Sequence, residues 1–345
     1  MPEEGKGRPL IVPIFIPYYG CPHRCIYCQQ EKITNQVVRR LKPSHIKETL
    51  DRALRSPKFN KAQDAEVAFY GGTFTSIPKA QIVQSLGAVR PYIEQGLFKS
   101  IRVSTRPDAL DKKKLDLIRD YYVTTVELGT QSMDDNVLSL SRRGHSVADT
   151  IKSVQLLKES GFKIGIQLMP GLPGDTRKKF MQTVEAVIRL SPDMVRLYPT
   201  VVIKGTELGT LYREERYQPL SLTEAVTVCK EACIKFEENG IPVIRLGLMS
   251  SPSLLAKGQI IAGPWHEAFG FLVRSEIHHE KIAPYLPEKG EMEKIRLRIP
   301  SREIPLVTGY KSRGLRSIEK KTGSTILDVT GDDTITEGQI RVERV

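Results

Sequence analysis

Short β-branched runs alternate with longer amphipathic stretches from the start of the chain to about residue 247. The strand candidates are LIVPIFI (10–16), EVAFYGG (66–72), SIRVST (100–105), VTTVELGT (123–130), FKIGIQLM (162–169), DMVRLYPT (193–200) and IPVIRLG (241–247). Helical patterns occupy 111–121, 146–160, 176–190 and 221–239, and Ser44, Asp134, Ser146 and Ser221 precede helical patterns as N-cap residues. Strands separated by helices cannot pair through tight hairpins, so the alternation predicts crossover units and a parallel sheet. About six such units predict an α/β fold, a partial (β/α)6 TIM-like barrel over residues 1–247. Residues 248–290 are rich in Pro, Gly and Ser with weak periodicity, and read as a connecting segment packed on the barrel. From Glu291 to the end, 291–345, a small α+β module begins.

A chain of 345 residues is long enough for one large core and such a module. No apolar run approaches the roughly 20 residues of a membrane span, which excludes a membrane partner. MPEEGKGRPL lacks the apolar centre of a signal peptide, so a cytoplasmic location is expected. Lys and Arg total 52 against 40 acids, a net charge of +12, which favours an anionic partner, nucleic acid first. Five cysteines make no disulfide framework, and in a reducing compartment a cluster of them points to metal or chemistry. Oligomeric state is not legible.

Three of those cysteines crowd into GCPHRCIYCQQ (20–30), directly after the first strand. In parallel barrels chemistry sits at the C-terminal ends of the strands, so Cys21, Cys25 and Cys28 are well placed. A structural zinc site wants four ligands in two separated pairs, and would need His23 or a distant histidine to complete it. Three thiolates on a four-iron cluster leave one iron free of protein, open to a small molecule. Tyr27 puts an aromatic ring beside that cluster, where an adenine can stack.

With YGGTFTSIP (70–78) added, the chain resembles a radical S-adenosylmethionine (SAM) enzyme. Within that superfamily it is most similar to the radical domain of the Elongator catalytic subunit. The matching stretches are STRPD (104–108), VELGTQSMDDNVLSLSRRGH (126–145), GFKIGIQLMPGLPGDT (161–176) and LYPTVVIKGTEL (197–208). The resemblance implies a [4Fe-4S] cluster on Cys21, Cys25 and Cys28. Its open iron binds the amino and carboxylate groups of SAM, and reductive cleavage gives a 5′-deoxyadenosyl radical. It further implies that Gly71, Gly72 and Thr73 meet the methionine amino group, where glycines let backbone approach a ligand closely. By the same resemblance, Ser104 and Arg106 hold the ribose or carboxylate, and Gln131 contacts the cofactor. Arg143 pairs with the methionine carboxylate, as a planar guanidinium suits. Gln167 occupies a position that is aspartate in the coproporphyrinogen-oxidase relatives. The Elongator subunit has a longer gap between its first two cysteines and carries a C-terminal acetyltransferase domain. Nothing after residue 247 resembles one, so the likeness reaches the radical step and not acetyl transfer.

The C-terminal stretch alternates as a strand at KIRLRIP, then permits a short helix over 301–308, a turn GYKS (309–312) and an amphipathic helix RGLRSIEKKTG capped by Gly323. Two further strands, STILDV and GQIRVERV, complete a βααββ order that resembles a KH RNA-binding module, without a third helix. The resemblance implies that Gly309, Tyr310, Lys311 and Ser312 form the backbone-gripping loop, with Ser312 in place of the usual last glycine. Arg313, Arg316, Lys320 and Lys321 continue a positive strip suited to phosphates.

The expected function is therefore a radical SAM enzyme acting on RNA, with tRNA as the expected class, fed electrons by a flavodoxin or ferredoxin. One alternative is the same chemistry on a small molecule, as in the coproporphyrinogen-oxidase branch. The other is a non-catalytic RNA-binding protein with a structural iron-sulfur cluster. No residue is singled out as the catalytic group acting on the substrate. Cys229 and Cys233 read as buried hydrophobes and His266 as structural, while the adjacent His278 and His279 would point opposite ways in an extended chain.

Overall fold

The computed structural model describes residues 10–36, 41–57, 59 and 64–345. The chain divides into two compact units, Met1–Leu220 with Phe236–Pro264 and Ser221–Lys235 with Trp265–Val345.

The seven predicted strands all form, as β1 (Ile11–Phe15), β2 (Glu66–Tyr70), β3 (Ser100–Thr105), β4 (Val123–Gln131), β5 (Lys163–Leu168) and β6 (Met194–Leu197), then, after the short strand β7 (Val202–Ile203), β8 (Val243–Leu246). They make one parallel sheet in the order β1-β2-β3-β4-β5-β6-β8, a partial barrel whose sheet ends at β1 and β8. β7 pairs separately and antiparallel with β9 (Ile260–Ala262). The six crossovers between the seven strands carry the helices. Asp134, Ser146 and Ser221 cap helices as expected: Asp134 accepts from the Val137 amide, Ser146 makes a reciprocal capping box with Asp149, and Ser221 receives the Glu224 amide. Ser44 does not. Its helix starts one residue earlier at Pro43, whose missing N–H costs nothing in the first turn, and Lys42 takes the cap position.

Strand alternation sorts the sheet into two faces. Val67, Phe69, Ile101, Val103, Val126, Leu128, Ile164, Ile166, Val195 and Leu197 are buried on one face. The other face, in the barrel interior, is charged. Arg102 is in register with Ala68 and Thr125, Glu127 with Gly165, and Gln167 with Arg196. Arg102 holds Glu66 through two nitrogens and Glu127 at 2.8 Å, while Arg196 reaches Glu127 at 3.0 Å. Arg196 also lies 4.7 Å from the Tyr70 ring centroid and 3.3 Å from the Tyr198 hydroxyl. Two cations thus balance two carboxylates in a low-dielectric interior, the condition on which buried charges are tolerated.

In the second unit β10 (Lys294–Ile299) is central, parallel to β11 (Thr325–Gly331) and antiparallel to β12 (Arg341–Arg344). Helices Ile304–Thr308 and Arg313–Thr322 lie between β10 and β11, as the sequence predicts. A third helix is present, and it precedes the first strand: Phe269–Ile282, inside the segment read as irregular connection. Ile282 belongs to the module's core with Ile295, Leu297, Ile299, Val307, Ile318 and Ile340. Ser275 donates to the Leu306 carbonyl at 2.7 Å, and His279 Nε2 lies 2.9 Å from that of Val307. His278 and His279 are thus buried on a helix, correcting the extended chain assumed for them. Gly314 is required where the two module helices cross, since a Cβ there would stand 2.1 Å from the Val307 carbonyl oxygen.

Candidate functional site

The three-cysteine loop leaves β1 and folds back onto the end of β2. Gly20, at φ +78°, makes the turn, and a Cβ on it would lie 2.2 Å from the Thr73 carbonyl oxygen. From the other side, a Cβ on Gly72 would lie 2.1 Å from the Tyr19 carbonyl oxygen and 2.6 Å from that of Ile16. The loop and the Gly71–Gly72–Thr73 segment therefore meet backbone to backbone, which only glycine allows. The Thr73 amide donates to Tyr19, and Cys21 Sγ lies 3.4 Å from Thr73 Oγ1. The Cys28 amide closes a turn onto the Cys25 carbonyl at 3.0 Å. Gln29 and Gln30 hold the loop's far end, the first accepting from the Tyr18 hydroxyl at 2.7 Å and the second from the Tyr18 amide.

Arg143 is the central cation. It is buried, with Nη1 3.1 Å from Cys25 Sγ and Nη2 donating to the Gly129 carbonyl, while its Nε is buried without a partner. The Gly129 carbonyl is available because β4 bulges there. One extra residue stands between Leu128 and Gln131 relative to β5, and Gln131 adopts a left-handed φ of +70°. The bulge aims Gln131 at Gln167, whose Nε2 donates to Gln131 Oε1 at 3.0 Å.

His23 Nε2 lies 3.0 Å from the Arg143 carbonyl oxygen and 3.1 Å from Arg106 Nη1. Arg106 in turn forms a two-nitrogen pair with Asp108 at 2.9 and 2.8 Å. Ser104 is in register with Glu127 on β4. Tyr27 packs against the cluster of Ile26, Val202, Leu208 and Tyr217, with its hydroxyl buried and unpaired. Burial, then Arg143 and Arg106, push His145 down to about 3, so its imidazole is neutral beside two guanidinium groups. Burial raises the Cys21 thiol, and burial followed by Cys25 pushes Cys28 up to about 12, so metal ligation there releases protons.

The donor set fits an iron-sulfur cluster better than zinc. His23, the nearby fourth ligand of a zinc site, is engaged with Arg143 and Arg106. Three thiols on one loop with a buried cation at Cys25 suit a polyanionic cluster whose fourth iron has no protein ligand. The unpaired Arg143 Nε is a buried donor without an acceptor.

The turn after β5, Gly171–Gly174, is braced by Asp175, which accepts from the Gly171 and Thr176 amides at 2.9 Å each. Burial nonetheless raises the Asp175 carboxyl from 3.8 to about 6. The folded state therefore binds this proton more tightly than the unfolded chain, and the group's contribution to stability falls as pH rises from about 4 to 6. In Asp175→Asn that loss is absent. Its stability relative to the native protein should grow by about 2 kcal/mol between pH 4 and 7, read as a widening difference in melting temperature. A pH-independent difference would contradict this.

In the C-terminal unit Lys311 and Ser312 both adopt left-handed backbone, at φ +51° and +58°. Ser312 thus takes the conformation a glycine would take freely, at a cost of about 1–2 kcal/mol. Arg316 Nη2 donates to the Lys311 carbonyl at 2.7 Å, and Lys311, Arg313, Arg316, Lys320 and Lys321 are exposed. Arg313, Arg316 and Lys320 share one helix face by their spacing, opposite the buried Ile318.

The sequence did not reveal the interior network of Glu66, Tyr70, Arg102, Glu127 and Arg196, nor His145, and it raised His23 only as a zinc ligand. Its signal was there to find: charged residues at the alternate positions of otherwise apolar strands.

Comparison with known proteins follows the same outline. Residues 15–187 match the family described as "Radical SAM superfamily", and residues 192–279 match "Radical_SAM C-terminal domain". A curated relative, an uncharacterized protein of Methanocaldococcus jannaschii, is 30% identical over 217 residues, 61% of this chain and 66% of that protein. The tRNA uridine(34) acetyltransferase of Methanocaldococcus infernus is 41% identical over 133 residues, 38% of this chain and 25% of that protein. Elongator complex protein 3 of Homo sapiens is 35% identical over 140 residues, 39% of this chain and 26% of that protein. The chain thus spans about two thirds of the first relative and about a quarter of the other two. Among solved structures, the archaeal Methanocaldococcus infernus Elp3 aligns with a TM-score of 0.60 at 24% identity, over 79% of this chain and 63% of that one. Among the described residues no helix is long and apolar enough to cross a membrane.

Proposed function

This chain belongs to the radical SAM superfamily, and from that premise we propose that its barrel, residues 1–247, generates a radical from SAM and acts on RNA, tRNA first, docked by the module 291–345. The superfamily's cofactors are a [4Fe-4S] cluster and SAM. When bound, they supply reductive cleavage of the sulfonium to a 5′-deoxyadenosyl radical that abstracts a hydrogen atom from substrate. The observation that carries the proposal is the packing of the three-cysteine loop onto Gly71–Gly72–Thr73, with Arg143 at Cys25.

Cys21, Cys25 and Cys28 would hold three irons, leaving one free of protein. Gly71, Gly72 and Thr73 would offer backbone and hydroxyl groups to the methionine amino group. Arg143, through the Nε that has no partner, would receive the carboxylate. Ser104, Arg106, Gln131 and Gln167 line the strand ends where the ribose would be held, and Tyr27 would flank the adenine. A flavodoxin or ferredoxin would deliver the electron.

RNA as substrate is supported by the exposed cations of the 309–321 segment and the net charge of +12. The names of the acetyltransferase relatives point the same way. Gly309, Tyr310, Lys311, Ser312, Arg313, Arg316 and Lys320 would make the contact. Mass spectrometry of total RNA nucleosides from cells with and without the gene tests it. One modified nucleoside should vanish with the gene and return with the native copy but not with Cys25→Ala. An unchanged nucleoside profile would overturn the RNA assignment and favour a small-molecule substrate.

A further inference from the structure

We infer that His266 and Tyr310 form an aromatic corner that holds one unpaired nucleobase of a bound RNA strand. The inference deepens the RNA docking proposed above and rests on it.

The two ring centroids are 4.7 Å apart and the ring planes meet at 86°, so the edge of one ring rests on the face of the other and a right-angled corner is left beside that contact. Both rings are pinned. Tyr310 donates its hydroxyl to Glu267 Oε1 at 2.8 Å. His266 Nδ1 accepts the Ala268 amide at 3.0 Å, which fixes the tautomer and leaves Nε2 as the N–H donor. Both side chains are partly exposed. Aromatic groups already ordered in the free protein lose little entropy on binding.

The surroundings select the ligand. Lys311 Nζ lies 5.4 Å from the Tyr310 ring centroid, and the exposed Arg313 and Arg316 follow. Arg316 also ties the left-handed loop through the Lys311 carbonyl, so the cations project from a fixed backbone. A nucleobase offers a face to stack on one ring and edge acceptors for an imidazole N–H, and its phosphates suit the ammonium and guanidinium groups. A duplex hides its base faces, so the corner takes a single strand or an extruded base. An acidic peptide would satisfy the cations but leave the ring faces unused.

The test uses the full-length protein and a single-stranded RNA of about a dozen nucleotides carrying 2-aminopurine at its centre, free or annealed to its complement. The native protein should quench the 2-aminopurine on binding and prefer the single strand by about tenfold or more. Tyr310→Ala and His266→Ala should each weaken binding about tenfold with the salt dependence unchanged. Tyr310→Phe, which keeps the ring but loses its bond to Glu267, should bind between the native protein and Tyr310→Ala. Lys311→Ala should lower the slope of log affinity against log salt by about 0.7 and keep the quenching. Equal affinity for both probes, or no quenching by the native protein, would overturn the corner while leaving RNA docking intact. Neither result depends on a variant folding. Failure of the native protein to bind either RNA at low salt, or binding of a poly-glutamate peptide instead, would overturn the docking role and the corner with it.

Discussion

Arg143→Ala should bind SAM at least tenfold more weakly while keeping its iron and sulfide. Arg143 is 7% exposed, and its guanidinium spends one nitrogen on Cys25 Sγ, a second on the Gly129 carbonyl, and a third on nothing the protein supplies. A buried charged donor without an acceptor is costly, and a carboxylate brought to it forms a hydrogen bond between charged groups worth about 1.5–3 kcal/mol. That range corresponds to roughly ten- to a hundredfold in affinity. Arg143→Lys should recover only part of it, because an ammonium cannot serve the Gly129 carbonyl, Cys25 and a carboxylate in one plane. Equilibrium dialysis of the anaerobically reconstituted proteins gives the answer. Unchanged SAM affinity with iron retained would remove Arg143 from the cofactor contacts. Loss of iron would show instead that it acts mainly by holding Cys25.

The barrel was legible because its signals are local. Seven β-branched runs became seven strands, and the short polar residues Asp134, Ser146 and Ser221 stop chain segments whose amides need a cap. The cysteine loop was legible by spacing alone. Helix Phe269–Ile282 was not, because Phe269, Val273, Ser275, Ile277, His278, His279 and Ile282 are all buried and leave no clean polar face to set a period. Pairings that depend on tertiary placement were equally silent: Arg102 with Glu66 and Glu127, His23 with Arg106, and Gly314 against Val307. The β4 bulge is a similar case. Nothing in VELGTQ announces an extra residue, yet it frees the Gly129 carbonyl for Arg143 and turns Gln131 toward Gln167.

Cys25→Ala should abolish formation of 5′-deoxyadenosine. Of the three loop cysteines Cys25 is the buried one, with Arg143 on its sulfur, whereas Cys21 and Cys28 are partly exposed. Losing it leaves two thiolates for a cluster that needs three protein ligands to keep its fourth iron for the cofactor. It also strands a buried cation, which costs about 3–5 kcal/mol when its partner is a charged sulfur. Its product yield should match that of a variant with Cys21, Cys25 and Cys28 all replaced by alanine.

The most direct measurement is metal, sulfide and product analysis of the anaerobically purified native protein, reduced with dithionite in the presence of SAM. It should contain about four iron and four sulfide per chain and release 5′-deoxyadenosine, with neither seen in the triple-alanine protein. Protein that carries zinc, lacks iron and sulfide, and leaves SAM intact would contradict the assignment of this loop as a cluster site.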